Sequence, residues 1–244
     1  MAGNQKLFSC GTLEEWQTAL VSYKDVMKEK AKLLTKTPRR PRGGKDLIEL
    51  DDWFQNDLPI AITSRDEKHI THEELCKLMK WKLMRGKFRP RLTELVQANK
   101  PEEVIAASKK AFKKLPNISE AIKALIVLKA VGPATASAVL AAGAPEVAPF
   151  MADESMLAIP GLQPLQYTLN HYVSYVAQIE SCMERLNKED DMVEWSAHDV
   201  ELALWTYHMA KQLDINIEKS GQKRKSDSSD TSKLKKQKSK SKDT

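Results

Sequence analysis

The feature that most constrains this chain is the recurrence of helix starts followed by apolar residues at three- and four-residue spacing. Thr12-Leu-Glu-Glu15 and Thr71-His-Glu-Glu74 have the form of capping boxes, in which a hydroxyl accepts from orphan N–H groups and a glutamate reaches back. Behind the first come Leu13, Trp16, Leu20, Tyr23 and Met27, giving a helix out to about Leu34. Behind the second come Leu75, Leu78, Met79 and Leu83, up to a break at Gly86–Pro90. Arg91–Ala98 reads as a short helix, and Pro101 sits where proline suits a helix start. Asn117-Ile-Ser-Glu120 opens another, through Ile122, Leu125 and Leu128. Ala134–Ala142 reads as a small-residue helix, and Gln163–Leu186 and Ser196–Leu213 as two long amphipathic ones around an acidic Lys188–Glu194 loop. Asp46–Phe54 is a short helix, and Leu58–Ile62 is open between loop and extended segment. No β-hairpin signal and no long repeat occurs. The expectation is an all-α fold with a core marked by five tryptophans.

Charge divides the chain. The net charge is +6, and residues 221–244, with eight Lys, one Arg and three Asp, carry all of it. Residues 1–220 are neutral, so basic character in the fold must be local. Three segments follow: residues 1–45, a helix and a basic Pro/Gly loop packed on the rest; 46–217, the main helical domain with a hairpin at 117–142; and 218–244, a Lys/Ser-rich tail expected to be disordered. Lys223–Lys225 and Lys233–Lys242 resemble a bipartite nuclear import signal, which implies an import receptor as partner and the nucleus as location.

Several classes are disfavoured. The three cysteines form no C-x-x-C pair, so neither a zinc ribbon nor a four-cysteine iron–sulfur cluster is expected, and reduced thiols fit best. No metal and no cofactor are expected. His69 and His72 lack the spacing of a zinc motif. No phosphate-binding G-x-x-x-x-G-K-[ST] loop and no nucleophile elbow occurs. The first residues contain no apolar run resembling a signal peptide, and the longest uncharged stretch, the sixteen residues Ala130–Pro145, is too short and too weakly apolar for a bilayer.

Ala121–Asp153 carries the most information. An apolar helix runs into Lys129-Ala130-Val131-Gly132-Pro133, and a helix with Ala134, Ala136 and Ala138 follows. A turn before a helix presents free backbone N–H groups, an anion site by geometry and dipole together. Pro149-Phe-Met-Ala-Asp153 comes next. The pattern resembles the helix-hairpin-helix DNA glycosylase superfamily, in which a Gly-rich turn is followed by an aspartate at the interval that here separates Gly132 from Asp153. The close match spans Ala121–Asp153, with a looser helical likeness over Asp46–Leu213. The resemblance implies a two-lobed fold, a hairpin (Lys129, Ala130, Val131, Gly132, Pro133) that holds a backbone phosphate, a nucleotide flipped from duplex DNA, and Asp153 stabilising the sugar cation or activating water. Lys129 and Ala130 stand in place of the family's Pro and first Gly. Ala134 occupies the position of the lysine nucleophile of bifunctional members, so the implied activity is monofunctional. Glu154-Ser155-Met156 departs from the residues usual after the aspartate. A catalytically inactive module that binds DNA or nuclear proteins is the alternative. Asp153 also reads simply as a helix N-cap, and Gly132 as a helix C-cap.

Lys77–Arg91 holds Lys77, Lys80, Lys82, Arg85, Lys87, Arg89 and Arg91 with no acid, and Trp81 and Phe88 are interleaved. It suits a phosphate-contacting surface with a stacking or wedge residue, or else a solvated helix face over a core tryptophan. Arg39, Arg40, Arg42 and Lys45 add a second basic patch. WKLMRGKFRPRL also resembles a small eukaryotic family of nuclear proteins with a glycosylase-like domain, the Amun-like proteins. Duplex DNA is the expected partner, and no membrane.

Overall fold

A computed structural model describes residues 5–35, 43–189 and 193–217, and among these there are helices and no strands. Arg39, Arg40, Arg42, part of the 188–194 loop and the tail lie outside the described residues.

Both expected capping boxes form. Thr12 Oγ1 accepts from the Glu15 N–H while Glu15 accepts from the Thr12 N–H, and Thr71 and Glu74 repeat the exchange. A short α1 (Lys6–Cys10) comes first. The helix expected to reach Leu34 is then interrupted at Ser22, giving α2 (Leu13–Val21) and α3 (Tyr23–Thr35). The segment left open between loop and strand is helical: α4 (Gly43–Asp52) runs through a π-helical turn at Trp53–Asp57 into α5 (Leu58–Thr63). Pro59 explains the turn, because its ring conflicts with a regular α-helical carbonyl four residues earlier and the wider turn relieves this. Then come α6 (His72–Arg85), α7 (Pro90–Gln97), α8 (Pro101–Lys114), α9 (Ile118–Leu125) and α10 (Pro133–Gly143). α11 (Asp153–Leu157) is short, and α12 (Leu169–Glu189) and α13 (Ala197–Gln212) are long. α12 starts at Leu169, later than the expected Gln163. Pro164 offers no N–H, and the Thr168 hydroxyl caps the start by accepting from His171.

α13 departs from the amphipathic expectation, being buried on every side, from Ala197 through Trp205 to Ala210. Its sequence ELALWTYHMA is apolar almost all round, as a central helix requires. Helices α2, α3, α11 and α12 pack around it, while α5, α6, α8 and α9 surround the equally buried α10. One continuous apolar cluster joins both groups, from Leu7 to Ala210. Position 45 falls inside α4, and α4 packs on both α3 and α6.

A polar knot lies where the groups meet. Arg85, 1% exposed, donates to Glu201 on α13, 0% exposed, at 3.0 Å. The guanidinium also sits 4.7 Å from the Trp205 ring centre, 5.3 Å from Phe150 and 5.4 Å from Trp81. Asp51 accepts from the Tyr23 hydroxyl at 2.8 Å and from the Trp81 indole at 3.0 Å. Burial opposes the charge on Arg85, and Glu201, Tyr23 and Asp51 more than offset that cost, keeping it protonated. Burial lifts the Glu201 carboxyl to about 7 against the pull of Arg85.

Removing one member of a buried pair leaves the other unpaired, at a cost of about 3–5 kcal/mol. Arg85→Met is therefore expected to lose that much in urea unfolding, and Arg85→Met combined with Glu201→Met to recover most of it.

Candidate nucleic-acid interface

The site is built around a cleft of about 250 Å³ between the end of α6, the start of α10 and the start of α11. Lys82, Lys87, Arg89, Ala130, Gly132, Pro133 and Asp153 all line it, so residues far apart in sequence converge there.

The hairpin wall begins where α9 ends at Leu125, short of its expected limit at Leu128. The chain then tightens through i→i−3 bonds, Leu128 to Leu125 and Val131 to Leu128. Asn99 fixes this turn by accepting from the Lys129 N–H at 2.7 Å and donating to the Lys129 carbonyl at 3.0 Å. Ala130 takes φ 63°, the left-handed region that favours glycine. Gly132 itself is extended, with φ −92° and ψ −178°, and is the N-cap of α10 rather than a C-cap. A Cβ built on it meets nothing within 4 Å. Folding thus does not demand glycine there, and the space above it is open. The Gly132 carbonyl accepts from Thr135 and Ala136. The N–H groups of Gly132 and Ala134 have no acceptor among the described residues.

The opposite wall holds the carboxylate. Asp153 is the first residue of α11 and does not cap it; Ala152 is the N-cap. The Asp153 carboxylate pairs with Lys87 at 2.9 Å, and the Tyr167 hydroxyl lies 2.8 Å from both of its oxygens. Lys87 is raised above its ordinary value by its bond to Asp153. Burial, then that same carboxylate, raises the Tyr167 phenol. The 149–155 segment is pinned from α12 and from α10. Tyr172 donates to the Pro149 carbonyl at 2.9 Å, Tyr175 lies 3.0 Å from the Ser155 hydroxyl, and Ser137 of α10 accepts from the Met151 N–H at 3.0 Å. Glu154 turns away to Lys30 on α3 at 3.4 Å.

The basic segment separates into parts. Lys87, 72% exposed, and Arg89 line the cleft at its mouth, and Phe88, 55% exposed, lies between them in sequence without lining it. Arg89 lies 5.5 Å from the Tyr167 ring centre. Lys82 is half-buried, and burial, then the Arg89 charge, lowers its amine to about 8. Four residues of the basic and hairpin segments are placed differently. Arg85 is no surface contact, being consumed by Glu201 in the core. Trp81 is no wedge, being buried and stacked 3.5 Å from Phe54. Lys80 lines a different groove with Asp46, Glu49 and Lys77. Lys129 directs its amine to the Ala98 carbonyl, and its side chain does not line the cleft. Val131 is buried and contributes only its place in the turn. Tyr167, Tyr172, Tyr175 and Asn99 carry no sequence signal that marks them. Their partners lie on other elements, well separated along the chain, and no local pattern joins them.

Among the described residues no group of three His, Cys, Asp or Glu is placed to hold a metal, and no helix is long and apolar enough to cross a membrane. The chain matches no protein-family model, no curated protein and no solved structure.

Left-handed backbone costs a non-glycine residue about 1–2 kcal/mol, partly offset by the lower unfolded-state entropy of alanine. Ala130→Gly is expected to stabilise the protein by about 0.5–1 kcal/mol, and Gly132→Ala to change urea stability by less than about 0.5 kcal/mol. Between pH 8 and 10.5 the unfolded chain holds a proton on Lys82 that the folded chain has lost, so the cost of burying this amine is present below 8 and is relieved as pH rises. Lys82→Met is expected to gain stability over wild type at pH 7.5, with the gap narrowing by pH 10 in paired urea melts.

Proposed function

We propose that this protein binds duplex DNA in the nucleus through a helix-hairpin-helix glycosylase-type fold, and that its cleft excises a damaged base by monofunctional chemistry. One observation carries the reading: the Asp153 carboxylate and the open turn at Gly132 face one cleft, although they belong to separate elements of the chain. The free amides of Gly132 and Ala134 suit a backbone phosphate, since a helix N-terminus favours anions by dipole and by donors. Lys87 and Arg89 supply charge at the mouth. Phe88 between them suits a wedge entering the base stack. A nucleotide turned out of the helix enters the cleft, and Asp153 then stabilises the cationic sugar as the base departs or orients the incoming water. Tyr167 holds the carboxylate in place. The Lys87–Asp153 pair opens as a phosphate competes for the lysine. The tail sequence supports nuclear import through its receptor.

A second reading is supported by that same pair. In a binding module that has lost catalysis, Lys87 and Tyr167 keep Asp153 engaged, and the cleft serves DNA or nuclear-protein contact alone.

Release of bases from a panel of lesion-bearing duplexes distinguishes them. The enzyme reading expects release, and Asp153→Asn is expected to lower it by about 10²–10³-fold while binding to an abasic-analogue duplex persists. Complete absence of release across the panel, with binding intact, selects the module. For binding, Lys87→Ala and Arg89→Ala are each expected to reduce the slope of log affinity against log salt by about 0.9. Lys80→Ala, in the other groove, is expected to leave the slope unchanged.

A further inference from the structure

We propose that Lys82 is an imine-forming amine, placed to attack the C1′ aldehyde of an abasic nucleotide held in the cleft. The inference rests on the DNA reading above and goes beyond it, because the position at which bifunctional members of the resembling superfamily carry their lysine is here Ala134.

The placement of Lys82 is fixed by its neighbours on α6. Trp81 is tied to Asp51 at 3.0 Å and Arg85 to Glu201 at 3.0 Å, both in the core, so rotation of this helix end is blocked and Lys82 is held toward the cleft. Among the described residues its amine has no hydrogen bond and no ion pair. The charged groups that act on it are Arg89 and Asp153, and Arg85, Lys87 and Glu154 share the lining. Lys87 is different: it is exposed, paired with Asp153 and held protonated. Burial instead brings Lys82 to about 8, so roughly a tenth is the free base at pH 7 and about half at pH 8. An unpaired, desolvated amine beside another cation, as Lys82 is beside Arg89, is the arrangement in which lysine acts as a nucleophile toward carbonyl groups, while Asp153 opposes the loss of its proton.

The step balances without a co-reactant. The Nζ lone pair forms a bond to C1′ of the ring-opened sugar, and the carbonyl π electrons move to oxygen, which takes a proton. The resulting carbinolamine loses that oxygen as water and leaves a C1′=Nζ bond. Protonated, this imine is a cation next to the Asp153 carboxylate. Addition of water reverses the sequence and frees the amine.

The test is borohydride reduction of the full-length protein mixed with a duplex containing one aldehydic abasic site. Hydride adds to C1′ of the imine and makes the link permanent. A covalent adduct that peptide mass mapping locates at Lys82 is expected. Its yield at a fixed early time is expected to rise roughly fivefold between pH 7 and pH 8, following the free-base fraction of an amine near 8. Lys82→Arg keeps the charge and is expected to lose the adduct while still binding a duplex with a tetrahydrofuran abasic analogue. Adduct found only on tail lysines, or none, with analogue binding intact in wild type, overturns the role of Lys82 and leaves the DNA reading standing. Failure of wild type to bind the analogue duplex removes the DNA reading and this inference with it.

Discussion

The buried pair of Arg85 and Glu201 is the constraint on which the site depends. Arg85 closes α6, and the basic loop with Lys87 and Arg89 leaves directly from it. Glu201 belongs to α13, the helix against which α11 packs. The same guanidinium lies against Phe150, on the segment that leads into Asp153. One side chain thereby sets the basic mouth, the carboxylate and the central helix in a common frame. Two charges taken out of water are rarely a net gain over apolar packing, so what the pair contributes is position more than stability. The aromatic rings of Trp81, Phe150, Trp205 and Tyr23 around the guanidinium leave it little freedom to find another partner.

The cleft that results is electrostatically uneven in a useful way. Cations stand at the mouth, exposed to solvent. Deeper in, the Asp153 carboxylate is held by Lys87 and the Tyr167 hydroxyl, and among the described residues the Lys82 amine makes no hydrogen bond or ion pair. The hairpin wall adds only backbone donors. Gly132 leaves an empty space above the helix start, and Ala130 accepts a left-handed backbone to form the bend. The packing beneath does not require the open space at Gly132, whereas Asn99 holds the bend at Ala130 through Lys129.

Helices with a hydroxyl cap and a glutamate three residues on are legible, because the signal is local. Thr12, Thr71 and Asn117 mark their starts in sequence and in structure alike. The all-helical class follows from them. Interruptions are harder: Ser22 divides a continuous apolar pattern, and the π turn before Pro59 has no periodic signature. That Asp153 and Gly132 share an opening is what the resemblance implies, and both line one cleft. Arg85 and Trp81 mislead because a run of cations looks uniform along a sequence. On a helix the register turns one residue of the run into the core, and the acid that pairs Arg85 lies 116 positions away. Tyr167 escapes sequence reasoning for a related reason, since its partner Asp153 belongs to a different, earlier element.

The proposed DNA reading is tested most directly at the backbone amides of the hairpin. Amide nitrogen and proton shifts of the full-length protein, titrated with an abasic-analogue duplex, address that contact. The largest changes are expected at Gly132 and Ala134, with Lys87 and Tyr167 moving as Asp153 is released from its ion pair. Changes confined to the lysine-rich residues 218–244, with the hairpin unmoved, would contradict the account.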